Sequence, residues 1–87
     1  MQRIKISDLE NAATRLNELL DRPLKPWIDR KVQIGNFHIS QAYGGCCVHE
    51  MVGPGGGIRT PIMHGHVSKR ECYDALQAFI AGATLAK

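Results

Sequence analysis

Val32-Gln33-Ile34-Gly35-Asn36-Phe37-His38-Ile39 is the stretch that decides the fold. Apolar and polar residues alternate on either side of Gly35-Asn36, the period of a strand with one buried face. The phase inverts across that dipeptide. Such an inversion has two physical origins. Gly35-Asn36 is either a two-residue type II′ hairpin turn, with glycine supplying the positive φ, or a bulge within one bent strand. The flanking arms are too short for a hairpin of their own, which favours the bulge.

Working outward toward the C-terminus, Gly44-Gly45 is expected to turn the chain into a second strand, Cys46–Val52. Gly53-Pro54-Gly55-Gly56-Gly57 is expected to turn it again into a third, Ile58–Ile62, so that the sheet occupies about residues 31–62. Toward the N-terminus, Pro23-Leu24-Lys25-Pro26-Trp27 reads as a stiff connector with Trp27 lying over the edge of the core. Before it, Ser7-Asp8-Leu9-Glu10 has the form of a capping box. Leu9, Ala12, Ala13, Leu16, Leu19 and Leu20 then recur at helical spacing, and Arg22, placed before Pro23, is pushed out of the α region. That predicts a helix over about residues 7–21. At the other end Ser68-Lys69-Arg70-Glu71 forms a second capping box, with Val67 placed to pack against Cys72. Cys72, Ala75, Leu76, Phe79 and Ile80 make its apolar stripe and Gly82 its stop, a helix over about 68–81. The expected architecture is a single domain over 1–87 of the α+β class. Its order is α-β-β-β-α, with two helices packed on one face of a three-stranded antiparallel sheet.

Composition narrows the function classes. The 87 residues carry 11 Lys and Arg against 8 Asp and Glu, a net charge of +3 scattered along the chain, which is little for a dedicated nucleic-acid binder. No apolar run approaches the length of a membrane span, and Met1–Ser7 has no apolar signal core. Three cysteines, two of them adjacent at Cys46 and Cys47, do not make a disulfide framework. These features predict a cytoplasmic protein in a reducing compartment.

The chemistry-bearing constellations are few. Cys47-x-His49 and His64-x-His66 each direct two ligand types to one face of an extended segment, so Cys47, His49, His64 and His66 are the only candidates for a tetrahedral zinc site. Their spacing is not the wider, turn-supported spacing of structural zinc sites, and a buried cysteine beside an exposed histidine is the plainer reading. A cysteine nucleophile needs a depressed pKa, and neither Cys46 nor Cys47 has a helix N-terminus or a cation in its sequence neighbourhood. Gly55-Gly56-Gly57 sits between two strands and lacks the Gly-Lys-Ser/Thr of a phosphate loop. No catalytic residue, metal or cofactor is therefore expected. One surface has a coherent electrostatic logic. Met63–Arg70 brings His64, His66, Lys69 and Arg70 to a helix N-terminus, where free amides already favour an anion.

Two resemblances attach to these residues. Ile34-Gly35-Asn36-Phe37-His38-Ile39, the Ala42-Tyr43-Gly44-Gly45 turn, the triglycine and the Ser68-Lys69-Arg70-Glu71 helix start together resemble a set of small proteins encoded in tailed-bacteriophage and prophage genomes. The likeness spans most of the chain, although Cys46 and Cys47 are not part of the pattern. It implies an accessory protein made in a bacterial cytoplasm. The element order is also similar to that of the double-stranded-RNA-binding domain, with Ser68-Lys69-Arg70 at its basic helix start. The chain departs from that domain one turn on, where Glu71 and Cys72 stand in place of further lysine. The leading expectation is a non-enzymatic protein-interaction module that binds a host or phage protein, with homo-oligomers compatible. The rival expectation is a nucleic-acid binder holding phosphates with Lys69, Arg70, His64, His66, Arg59 and Lys31. A small zinc-binding protein is third.

Overall fold

The computed structural model describes residues 3–86. Its elements run α1 (Ile6–Leu19), β1 (Trp27–Ile28), β2 (Lys31–Val32), β3 (Phe37–Ala42), β4 (Gly45–Met51), β5 (Ile58–Arg59) and α2 (Lys69–Ala86). β3, β4 and β5 form the expected three-stranded antiparallel sheet in that order, and β1 and β2 make a separate two-stranded ribbon that the sequence reading had as connector and strand start. The two helices pack on one face of the sheet. There Leu9, Ala12 and Leu16 of α1 and Cys72, Leu76 and Ile80 of α2 close over Phe37, Cys46 and Val48.

Gly35 and Asn36 are a bulge. The Gly35 amide donates to the Met51 carbonyl at 2.7 Å while the Met51 amide donates to the Asn36 carbonyl at 2.9 Å, so two residues oppose one. Gly35 has φ of +97° there, a conformation that favours glycine. The strand does not continue straight through the bulge. Asn36 N–H donates back to the Gln33 carbonyl at 3.2 Å, and the resulting turn sends β2 off to pair with β1.

Several boundaries differ from the sequence reading, each for a local reason. α1 begins earlier than Ser7: Lys5 is its N-cap, and the Asp8 carboxylate accepts the Lys5 amide at 2.8 Å, a charge-assisted bond. The β3–β4 turn is centred on Tyr43-Gly44 rather than Gly44-Gly45, with Ala42 paired to Gly45 and φ of +53° and +72° at the two turn residues. β5 is two residues long rather than five. Gly82 does not stop α2, which continues to Ala86. Nothing packs on Gly82, and the alanines around it favour helix enough to offset a glycine cost of about 1 kcal/mol. The second box is formed as expected at its serine: the Glu71 amide donates to Ser68 Oγ at 3.1 Å. The Ser68 hydroxyl in turn donates to the Glu71 carboxylate at 3.0 Å. Val67 packs against the core cluster, and its backbone also bridges to Cys46.

Candidate functional site

Each residue of the expected basic surface has a place, and the places do not merge. Lys69 opens α2 and lines a shallow depression of about 380 Å³ with Gln41, Ala42, Gly44, Gly45 and Cys46. Arg70 stands 3.8 Å from Asp74 one turn on. Arg59 is committed elsewhere: it shares with Arg22 the buried Glu50 carboxylate, which is 6% exposed. Lys31 belongs to the β1–β2 ribbon, and His64 is exposed in the loop before Val67. His66 turns to the sheet, its Nε2 3.1 Å from Ser40 Oγ.

The sheet face opposite the helices carries a row of imidazoles. His38 and His49 are directly cross-strand, ring centroids 5.6 Å apart, and His66 follows at 6.0 Å from His49. Tyr43 closes the row at 5.7 Å from His66. Asn36 fixes the His38 tautomer. Its amide nitrogen donates to the Pro23 carbonyl, which leaves Oδ1 to accept from His38 Nδ1 at 3.1 Å. Burial holds the His38 pKa below its ordinary value, and the His49 charge adds to this; His49 is lowered likewise by burial and then by His66. The rings meet edge to face.

The four metal candidates do not converge. Only His49 and His66 approach one another. Cys47 is fully buried in β4, its thiol directed to the Val48 carbonyl, and among the described residues no group of three His, Cys, Asp or Glu side chains is placed to hold a metal ion. Burial raises the Cys47 pKa, and burial with the neighbouring Cys46 and Cys47 pushes Cys72 up to about 11. Both thiols stay protonated at neutral pH, which is the opposite of an activated nucleophile.

The feature that sequence reading missed lies at the end of the sheet beside the bulge. Trp27 does not cover the core. It is half exposed in β1, and its ring lies against Gly56 of the glycine turn, where an added Cβ would stand 3.3 Å away. Backbone bonds stitch the neighbouring segments together: Gln33 N–H to the Pro26 carbonyl at 2.9 Å, Gly35 N–H to Met51, and Val52 N–H to the Gly57 carbonyl at 3.0 Å. These segments and their flanks carry Leu24, Trp27, Ile28, Ile34, Val52 and Ile58, six of the nine large apolar side chains exposed among the described residues. The sequence signal was present in part. Trp27-Ile28 and Ile34 lie outside both helical stripes, and a strand too short to bury them leaves them in solvent.

Compared with protein-family models, with curated proteins and with solved structures, the chain matches none. No helix of the described residues is long and apolar enough to cross a membrane.

Proposed function

We propose that the protein is a non-enzymatic interaction module, an accessory protein of the phage type, which binds another protein through the apolar end built from the β1–β2 ribbon and the glycine turn. The observation that carries this reading is the concentration of exposed Leu24, Trp27, Ile28, Ile34, Val52 and Ile58 at one end of the fold. Large apolar side chains left exposed on neighbouring segments of a small domain cost solubility, and such exposure marks interaction sites. Trp27 has the character of an anchor: it is large, rigid and half exposed, and it rests on a glycine rather than on the core. The pairing of Arg22 and Arg59 with buried Glu50 and the Asn36–Pro23 bond tie this end to the sheet, so the surface is held in shape before a partner arrives.

The test is affinity capture from expressing bacteria with the natural protein and with Trp27→Ser/Ile28→Ser, with and without nuclease. The reading predicts a stoichiometric protein partner that nuclease does not release and that the double variant does not retain. Capture abolished by nuclease and by Lys69→Ala/Arg70→Ala, with the Trp27 variant indifferent, would replace it with phosphate binding at the start of α2.

A further inference from the structure

Both signs of charge are spread along the sequence, but the excess of positive charge is not. Residues 24–34, which supply the β1–β2 ribbon and its flanks, carry Lys25, Arg30 and Lys31 against Asp29 alone. Two of the chain's three net positive charges therefore sit on the short segment that also exposes Leu24, Trp27, Ile28 and Ile34. α1 has the opposite balance, with Asp8, Glu10 and Glu18 against Arg15. The three cations of the ribbon segment are exposed, and none has an ion-pair partner among the described residues.

Backbone geometry fixes where these charges stand. The ribbon turns on Asp29 and Arg30, at φ of +49° and +66°, and its register pairs Ile28 with Lys31 and Trp27 with Val32. Directly opposite residues share one face of a ribbon, so Lys31 stands beside Ile28, and Arg30 occupies the tip next to both. Cations thus stand among the exposed apolar side chains of the ribbon. In the free protein water solvates them. Covered by a purely apolar partner, they would lose that hydration with nothing in return. We infer that the partner of the apolar end presents an acidic rim: a protein segment whose apolar side chains meet Trp27 and Ile28 and whose flanking Asp or Glu side chains pair with Lys25, Arg30 and Lys31. The inference rests on the docking role proposed for this end and adds the chemistry of what docks.

Two other polyanions fit the surface less well. Nucleic acid needs stacking platforms for its bases as well as cations, and the exposed apolar side chains here are aliphatic apart from Trp27. An anionic lipid surface would meet the tip of the ribbon first, where Asp29 stands between Ile28 and Arg30 and would be repelled by the headgroups. A protein can set a donor opposite Asp29 and carboxylates opposite its neighbours; a uniformly anionic surface cannot.

The experiment is photo-crosslinking from a benzophenone side chain at position 34, in nuclease-treated lysate of expressing bacteria, with the linked peptide sequenced by mass spectrometry. Yields are compared for the natural protein, Arg30→Glu/Lys31→Glu and Arg30→Asn/Lys31→Gln, each checked by circular dichroism. Lys69→Glu/Arg70→Glu is the control, changing the net charge as much as the first pair does but at the start of α2. Asparagine accepts the left-handed conformation of residue 30, so the neutral variant keeps the test open even if the reversed one does not fold. One protein adduct is expected, linked to a segment with an excess of Asp and Glu. Its yield should fall about tenfold or more on charge reversal and by less on neutralisation. It should also fall between about 0.1 M and about 1 M salt, where the screening length shrinks from about 10 Å to about 3 Å. The control should crosslink as the natural protein does. An adduct that both ribbon variants retain, or one linked to a segment without acidic excess, would overturn the inference and leave the docking role standing. No protein adduct at all would remove both. Flotation with phosphatidylglycerol vesicles is run in parallel, and vesicle binding that Trp27→Ser abolishes would make lipid the occupant and overturn the inference as well.

Discussion

Replacing Asn17 by leucine should destabilise the protein, although on sequence pattern it looks like an improvement. Asn17 falls on the buried side of α1 beside Leu9, Ala12, Ala13 and Leu16, and only 1% of it is exposed. Leucine would complete that stripe at nearly the same volume and with better helix propensity, a gain of a few tenths of a kcal/mol. Against this stand the two bonds at 2.8 and 2.9 Å to the Phe37 amide and carbonyl. Once the side-chain amide is gone, both backbone groups remain in the core without water. An unsatisfied buried donor or acceptor costs about 1–3 kcal/mol, so the pair costs roughly 2–6 kcal/mol before the gain from leucine is subtracted. A net loss of about 3 kcal/mol is the expectation, a large share of the roughly 4–13 kcal/mol that a domain of 87 residues has in total. Urea unfolding followed by circular dichroism measures it directly, with the slope of the transition held to check that unfolding stays two-state. Asn17→Leu as stable as the natural protein would refute the claim that a side chain stands in for a strand at Phe37.

Three other outcomes follow from the geometry. Arg22→Met should cost about 1–3 kcal/mol, because it leaves buried Glu50 with Arg59 alone and removes a 3.1 Å bond to the Gly35 carbonyl; thermal melts at fixed pH will show it. Stability should fall with acid before any carboxylate titrates. His38 and His49 have folded pKa values below their ordinary 6.5, so the unfolded chain takes up protons first, and the stabilisation present above pH 6.5 is lost as pH falls through the lowered folded values. His38→Gln/His49→Gln should flatten that part of the profile, and an unchanged slope would sink the assignment. Chelation should leave the melting temperature unaltered, since no three ligands converge among the described residues; one zinc per chain by elemental analysis, lost with the fold on Cys47→Ser, would contradict this.

The helices and the bulge could be read from the sequence because each rests on a local signal. Ser68 and Glu71 meet as their spacing requires, and Leu9, Ala12, Ala13 and Leu16 are buried. Cys72, Leu76 and Ile80 of the second stripe are buried while its Phe79 is exposed, and the phase inversion at Gly35-Asn36 is a bulge with Gly35 at positive φ. What escaped the reading depends on partners distant in sequence. Asn17 looks like an ordinary polar helix residue until Phe37, 20 residues on, supplies its bonds. Glu50 reads as the polar position of an alternating strand, yet it is buried because Arg22 and Arg59 reach it from either side. The β1–β2 ribbon turns on Asp29 and Arg30, both at positive φ, a conformation their residue types scarcely announce. The apolar end was hidden for the same reason. Trp27, Ile34 and Ile58 are dispersed along the chain, and only the bulge and the glycine turn bring their segments together.

The account stands most directly on whether that apolar end meets another protein. The decisive measurement is site-specific photo-crosslinking in expressing bacteria, with a benzophenone side chain placed at Ile28 or Ile34 in the exposed cluster and, as control, at exposed Ala78 in α2. The account predicts one discrete protein adduct from positions 28 and 34, absent from position 78 and unaffected by nuclease. Adducts from position 78 alone, adducts that nuclease trims away, or none from positions 28 and 34 would contradict it.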